Sequence, residues 1–177
     1  MRKGITAAAA AVLFVAGVGV GVAASVKAPS SASLFQGKSS QDAARALLDT
    51  ALVQAGKGSW ERIGVGRAYY LGGDKARGQQ IFDALLAGGH DDGDTFRIAR
   101  VYEEAGEWNK AKPMFDAYLA NNPNEAKDLA EIGAYYYLHG DKATGEQLFA
   151  RSFAADNNEV WATVHAAGAY LGLKPQP

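Results

Sequence analysis

A ten-residue block occurs twice in this chain. Gly73-Asp74-Lys75-Ala76-Arg77-Gly78-Gln79-Gln80-Ile81-Phe82 returns as Gly140-Asp141-Lys142-Ala143-Thr144-Gly145-Glu146-Gln147-Leu148-Phe149, and each copy follows an Ala-Tyr-Tyr segment. The copies lie 67 residues apart, and midway between them stands Gly106-Glu107-Trp108-Asn109-Lys110-Ala111, ending in Phe115, so the period is 33 and then 34 residues. A chain with such a period builds one supersecondary unit several times over. Stacking then buries the face that no single unit can bury alone.

The apolar spacing within each unit is helical, and no segment has a convincing strand period. Gly72-Gly73-Asp74, Ala105-Gly106-Glu107 and His139-Gly140-Asp141 interrupt it as turns short enough to force antiparallel neighbours. Asp74, Glu107 and Asp141 stand at the starts of second helices, where carboxylates complement the orphan N–H groups and the dipole. Gly66, Gly78, Gly133 and Gly145 fall inside helix-patterned segments. Each costs about 1 kcal/mol relative to alanine, so their recurrence predicts close backbone approach between paired helices. Ser40 to Ala55 reads as a leading amphipathic helix with Ala44, Leu47, Leu48, Ala51 and Leu52 on one face. Glu159 to Leu171 reads as a closing helix with Trp161, Val164, Ala167 and Tyr170 apolar. Pro113 sits in the second helix of the middle unit. It costs little if that helix starts at Asn109 or Lys110, and predicts a bend if the start is earlier.

These positions resemble the tetratricopeptide repeat. The middle copy carries the pattern throughout, as Ala99, Tyr102, Gly106, Ala111, Phe115 and Pro123. The first copy reads Gly66, Tyr69, Gly73, Gly78 and Phe82, with His90 in the proline position, and the third reads Gly133, Tyr136, Gly140, Gly145 and Phe149, with Asn157 there. The family's tryptophan near the start of the first helix is replaced by Arg62, Thr95 and Leu129. The resemblance implies an all-α fold, a right-handed α-solenoid of antiparallel helix pairs, with three repeats at about 59–91, 92–124 and 125–158 plus a leading and a closing helix. The repeat domain is expected over 39–172, with 173–177 as a tail.

Residues ahead of the domain read differently. Arg2 and Lys3 precede a run from Ile5 to Val26 without a single charge. A basic n-region, an apolar stretch and small residues at Val22-Ala23-Ala24 make 1–24 a secretory signal, cut after Ala24. The run is also long enough to cross a bilayer, so an uncleaved single-span anchor is the alternative. Both readings put the domain outside the cytoplasm, periplasmic or secreted in one case and anchored facing the periplasm in the other. Residues 25–38, with Pro29 and several serines, read as a flexible linker.

Composition narrows the chemistry. There are no cysteines, which removes disulfides, zinc fingers, iron–sulfur sites and thiol nucleophiles. A net charge of −1 argues against a protein that coats nucleic acid through bulk charge. His90-Asp91-Asp92-Gly93-Asp94 fails as a calcium loop because Phe96 and Arg97 would occupy its fifth and sixth positions, and it reads as an inter-repeat loop with capping carboxylates. His139, at a turn, and His165, on the closing helix, have no partner at ligand spacing. Gly64-Val65-Gly66 lacks both the third glycine and the preceding strand of a dinucleotide loop. No local Ser, His and acid signature stands out. The expectation is a non-enzyme without metal or cofactor.

The resemblance places the first helices of the repeats on a concave face that holds an extended peptide or a partner helix. Its groove positions here are Trp60, Ile63, Arg67 and Tyr70, then Phe96, Arg100 and Glu103, then Lys127, Ala130 and Tyr137. Aromatic anchors beside arginine are typical of binding hot spots. The same residues also suit packing against the leading helix or one another. Arg67 and Arg100, one repeat apart, suit an anion or a pairing with Glu103, Glu104 or Glu131. The expected partner is thus a protein or peptide, met by an exported adaptor in envelope assembly or secretion. The alternative is a structural or oligomerising subunit that uses its end helices.

Overall fold

The computed structural model describes residues 32–176. The proposed signal at 1–24 and the first part of the linker, 25–31, lie outside the described residues. The remainder of the linker contains one 3-10 turn, Ala32–Leu34. Among the described residues there are eight α-helices and no strand. They are α1 (Ser40–Ala55), α2 (Ser59–Leu71), α3 (Lys75–Ala87), α4 (Asp92–Glu104), α5 (Trp108–Asn121), α6 (Ala126–Leu138), α7 (Lys142–Ala155) and α8 (Val160–Tyr170). Helices α2/α3, α4/α5 and α6/α7 form the three hairpins, α1 packs on α2, and α8 packs on α6. None of these helices is long and apolar enough to cross a membrane.

Each hairpin turns on a left-handed glycine. Gly73, Gly106 and Gly140 have φ of 104°, 75° and 94°. The next residue's N–H then reaches back to the carbonyl of the recurring tyrosine: Asp74 to Tyr69 at 3.0 Å, Glu107 to Tyr102 at 2.8 Å, Asp141 to Tyr136 at 3.0 Å. This closure satisfies orphan carbonyls of the first helix and sets the exit direction of the chain. Asp74 and Asp141 cap the second helices by accepting from the N–H groups of Arg77 and Thr144. Glu107 departs from the expectation: its side chain makes no cap bond and turns toward the first repeat instead.

Close approach follows from the helical glycines. A Cβ on Gly78 would lie 2.7 Å from the Gly66 carbonyl oxygen and 2.7 Å from Tyr70 Cβ, and one on Gly145 would lie 2.8 Å from the Gly133 oxygen. Phe82 lies across Gly66 and Phe149 across Gly133, each too near for a methyl group. The middle hairpin carries Ala99 and Ala111 at these crossings, both fully buried.

Polar links join one hairpin to the next. Tyr69 donates to Asp49 of α1 at 2.8 Å, Tyr136 donates to Asp116 of α5, and Gln79 of α3 bridges Tyr102 and Asp83 at 2.7 and 2.8 Å. Asp49, Asp83 and Asp116 recur at the repeat period, so α1 occupies the place of a second helix from an incomplete preceding unit. Burial first, and the bond to Asp49 next, push the Tyr69 phenol up to about 12.

The flanking helices differ from their sequence reading in which face they bury. Helix α1 has no fully buried residue: Leu48, Ala51 and Leu52 pack on the core while Ala44 and Leu47 stay exposed, because no helix covers its other side. On α8 the buried stripe is Ala162, His165, Ala166 and Ala169, set against Ala130 and Ala134 of α6. Trp161, Val164 and Tyr170 remain about half exposed, since small residues allow the closer fit. Helix α5 starts at Trp108 and runs on through Pro113, forgoing one bond to the Asn109 carbonyl.

Two glycine-to-alanine changes should therefore move stability in opposite directions. Gly145→Ala forces a methyl group onto backbone and Cβ atoms that cannot yield, at about 1–3 kcal/mol of overpacking, which outweighs the gain in helix propensity. Gly64→Ala enters open space on the exposed side of α2 and should stabilise by up to about 1 kcal/mol. Thermal melts of the two variants check the signs.

Candidate partner-binding face

The first helices α2, α4, α6 and α8 present one row of side chains that contact each other from helix to helix. Arg67 of α2 meets Glu104 of α4 in a two-pronged pair, its Nε donating to Oε2 at 2.6 Å. Arg100 of α4 meets Glu131 of α6 in the same way. His165 of α8 places Nε2 3.9 Å from Glu131, too far for a hydrogen bond. Both arginines thus adopt the pairing alternative, with Glu104 and Glu131 as partners, and neither offers a free fork to an anion.

The two pairs differ in environment. Arg67 and Glu104 are each about half exposed, whereas the Glu131 side chain is wholly buried. Burial alone would lower Arg100, but the hydrogen bonds and charge of Glu131 outweigh it and hold the guanidinium above its ordinary value. Tyr135 donates to Glu131 at 3.2 Å, and burial, then the carboxylate, push its phenol up. His165 is held below the ordinary histidine value by burial, against the opposing pull of Glu131. Its Nε2 has no hydrogen-bond partner among the described residues.

The other groove positions divide sharply. Ile63, Tyr70, Phe96 and Ala130 are buried and belong to the core, so they do not form open surface. Phe96 stacks on Tyr118 at 4.6 Å, and the Arg100 guanidinium lies 4.4 Å from the centre of its ring. Tyr137 is half-buried against Phe149 and Tyr170, with Lys142 over its ring. Trp60 is 68% exposed, and the Arg97 guanidinium lies 5.1 Å from its ring. Lys127 is exposed on α6, near enough for its charge to act on His165. Glu103 is 4% exposed and receives two bases: His139 Nε2 at 3.3 Å and Lys174 Nζ at 3.0 Å. Of the sequence-derived set, then, Arg67 and Arg100 form the row of charged pairs, Glu103 pairs with His139 and Lys174, and Trp60, Lys127 and Tyr137 make their contacts elsewhere.

Tyr70 belongs to a second network. Its hydroxyl donates to Glu107 at 2.6 Å and accepts from Lys110 at 2.9 Å. Glu107 also takes Lys110 and Lys75. Hydrogen bonds from Lys110, Lys75 and Tyr70, in that order, hold the Glu107 carboxyl down at about 2. Elsewhere, Asp91 caps α4 by accepting from the Asp94 N–H at 2.7 Å, and Asp92 accepts from Asn121 and Asn122. The acidic loop is thus used for capping and loop anchoring. Among the described residues no group of three or more His, Asp or Glu side chains is placed to hold a metal ion.

Lys174 was not legible as a site residue. Gly172 signals a helix stop, but nothing in the one-dimensional order indicates that the following lysine returns to α4. His165 and Glu131 were visible as residues, and their meeting required the packing of α8 on α6.

Regular helical hairpins, a small-residue crossing in each and a recurring turn glycine define a helical-repeat protein. Residues 96–125 match the family model of the tetratricopeptide repeat. The matched segment is the middle hairpin, a tetratricopeptide repeat, and the hairpins on either side carry the same glycine and tyrosine positions. Comparison with curated proteins gives no match. Tetratricopeptide repeats generally mediate protein–protein contacts, and the matched hairpin points to a protein-binding role.

Two predictions follow from burial and charge. Arg100→Ala leaves the Glu131 carboxylate buried without its cation and should cost about 3–5 kcal/mol. Arg67→Ala breaks a half-exposed pair worth at most about 1 kcal/mol. Urea unfolding of each variant measures the contrast. Glu107 has a depressed carboxyl, so its contribution is present above the unfolded value of about 4.3 and is lost as pH falls toward 2. Glu107→Gln should therefore lower the Tm at pH 7, with the gap to wild type closing between about pH 5 and pH 2.

Proposed function

We propose that the protein is an exported, non-catalytic adaptor that holds a protein or peptide segment on its first-helix face. The matched repeat in the middle of the stack carries this reading, because stacked units make an extended binding surface. Trp60, exposed and flanked by Arg97, supplies an aromatic anchor at one end of the face. The envelope setting rests on Arg2 and Lys3 before the uncharged run from Ile5 to Val26. A role in envelope assembly or secretion is the one that suits such an adaptor. Intact mass of the protein recovered from membrane and soluble envelope fractions tests the leader: loss of 1–24 supports export by cleavage, and a full-length membrane species supports an anchor.

One observation favours the second reading, a structural subunit that joins partners through its ends. Val160, Trp161, Val164, Tyr170, Leu171 and Leu173 leave an exposed apolar strip at the closing end of the stack. Light scattering separates the two: a stable homo-oligomer supports end contacts, and a monomer supports the adaptor.

The face itself is tested by selecting peptides from a displayed library on the full chain. Peptides so selected should lose at least about tenfold in affinity, or about 1.4 kcal/mol, for the Trp60→Ala/Lys127→Ala variant. Both residues are exposed, so the fold should survive. Unchanged affinity would reject the first-helix face as the binding surface.

A further inference from the structure

The chain does not end at its last helix. Gly172 takes φ 74°, and the Leu173 N–H bonds back to the Gly168 carbonyl at 2.8 Å, so the chain reverses after α8. Pro175 biases Lys174 toward extended backbone, which keeps the segment from resuming a helix. The reversed tail then crosses to a different part of the stack, where Lys174 Nζ sits 3.0 Å from Glu103 on α4. Between tail and α8 it leaves a half-open cavity of about 330 Å³, walled by Trp161, Val164, His165 and Gly168 on one side and Leu173 and Pro175 on the other.

The two ends of this ion pair are unequal. Glu103 is nearly inaccessible, with a side chain 5% exposed, whereas Lys174 is 58% exposed. A buried carboxylate requires a cation or donor to offset its lost hydration. On the protein side, His139 at 3.3 Å is the other base in contact with it. His139 is itself fixed flat against Trp108, ring centroids 4.4 Å apart. The acceptor is therefore built into the helices, while its lysine arrives from a tail with an exposed Leu173 and little buried surface. A cation delivered on an extended segment and lightly held there is exchangeable for the same group on another chain.

We propose that Glu103 is the floor of a lysine-reading subsite on the first-helix face, and that residues 171–176 are its intramolecular occupant. The partner is an extended peptide segment that presents a lysine, and it binds by displacing the tail. This rests on the proposed use of that face for peptide binding and adds the partner's chemistry and the means by which the site is kept closed. The tail reduces the apparent affinity by the fraction of molecules in which it is seated.

The test uses the full chain and a fluorescent, N-terminally blocked peptide of the tail sequence, Tyr-Leu-Gly-Leu-Lys-Pro-Gln-Pro, followed by anisotropy. Lys174→Ala frees the subsite and should tighten peptide binding about tenfold over wild type. Glu103→Gln placed in the Lys174→Ala chain should abolish that gain, as should a probe with alanine for its lysine. Circular dichroism melts confirm that each variant is folded. Equal affinity for wild type and Lys174→Ala, or binding that ignores Glu103 and the probe lysine, overturns the proposal. Library-selected peptides that need Trp60 but bind wild type and Lys174→Ala equally would overturn the tail as occupant and leave the face standing. Absence of any Trp60-dependent peptide would instead remove the face as a binding surface.

Discussion

How near two helices of a hairpin can come is fixed by what stands at their crossing, and in two of the three hairpins it is a hydrogen atom. Gly66 against Gly78 and Gly133 against Gly145 leave room for backbone atoms to meet but not for a methyl group. The recurring Phe82 and Phe149 then lie across the gap instead of propping it open. The middle hairpin instead accommodates one methyl group on each helix, Ala99 and Ala111, both fully buried, as is Phe115. Close crossing fixes the turn, since each glycine turn must return the chain within a few residues. It also aims the tyrosine of each first helix away from the crossing, toward the preceding unit.

That outward tyrosine is what couples one unit to the next. The apolar core supplies most of the favourable energy, because Tyr70, Phe82, Phe115, Ile98, Leu129 and Ile132 lose nearly all contact with water. Apolar contacts are non-directional and would tolerate a slip between neighbouring hairpins. The Tyr69–Asp49 bond, the Tyr102–Gln79–Asp83 bridge and the Tyr136–Asp116 bond remove that tolerance. The Arg67–Glu104 and Arg100–Glu131 pairs add a second constraint, between consecutive first helices. The same row gives the face its chemistry. Its arginines are already neutralised in pairs, and Glu103 is the buried acid whose cation comes from the tail.

Much of the fold was legible because its causes are periodic. Gly73, Gly106 and Gly140 declare their turns, and the helical glycines declare close approach at a repeated offset. The face was harder to read. A position in the pattern states which helix carries a residue and leaves open how far its neighbour overlaps it, so Ile63, Tyr70 and Phe96 were assigned to a groove and are core. Glu107 looked like a cap because of its place after a turn glycine, but two lysines and a tyrosine outcompete the local N–H groups. On α8 the large apolar residues that marked the helix stay half exposed, and the small ones make the tighter contact with Ala130 and Ala134. Lys174 has no periodic signal at all, since it belongs to no repeat.

The apolar core runs on from hairpin to hairpin, so stability in this chain accumulates between neighbours along the stack. Native-state hydrogen exchange on the full chain measures this most directly, because it resolves opening free energy along the sequence. Protection should be greatest in α4, α5 and α6, which have neighbours on both sides, and fall toward α1 and the segment after α8. Uniform protection from α1 through α8, lost in one cooperative step, would contradict it.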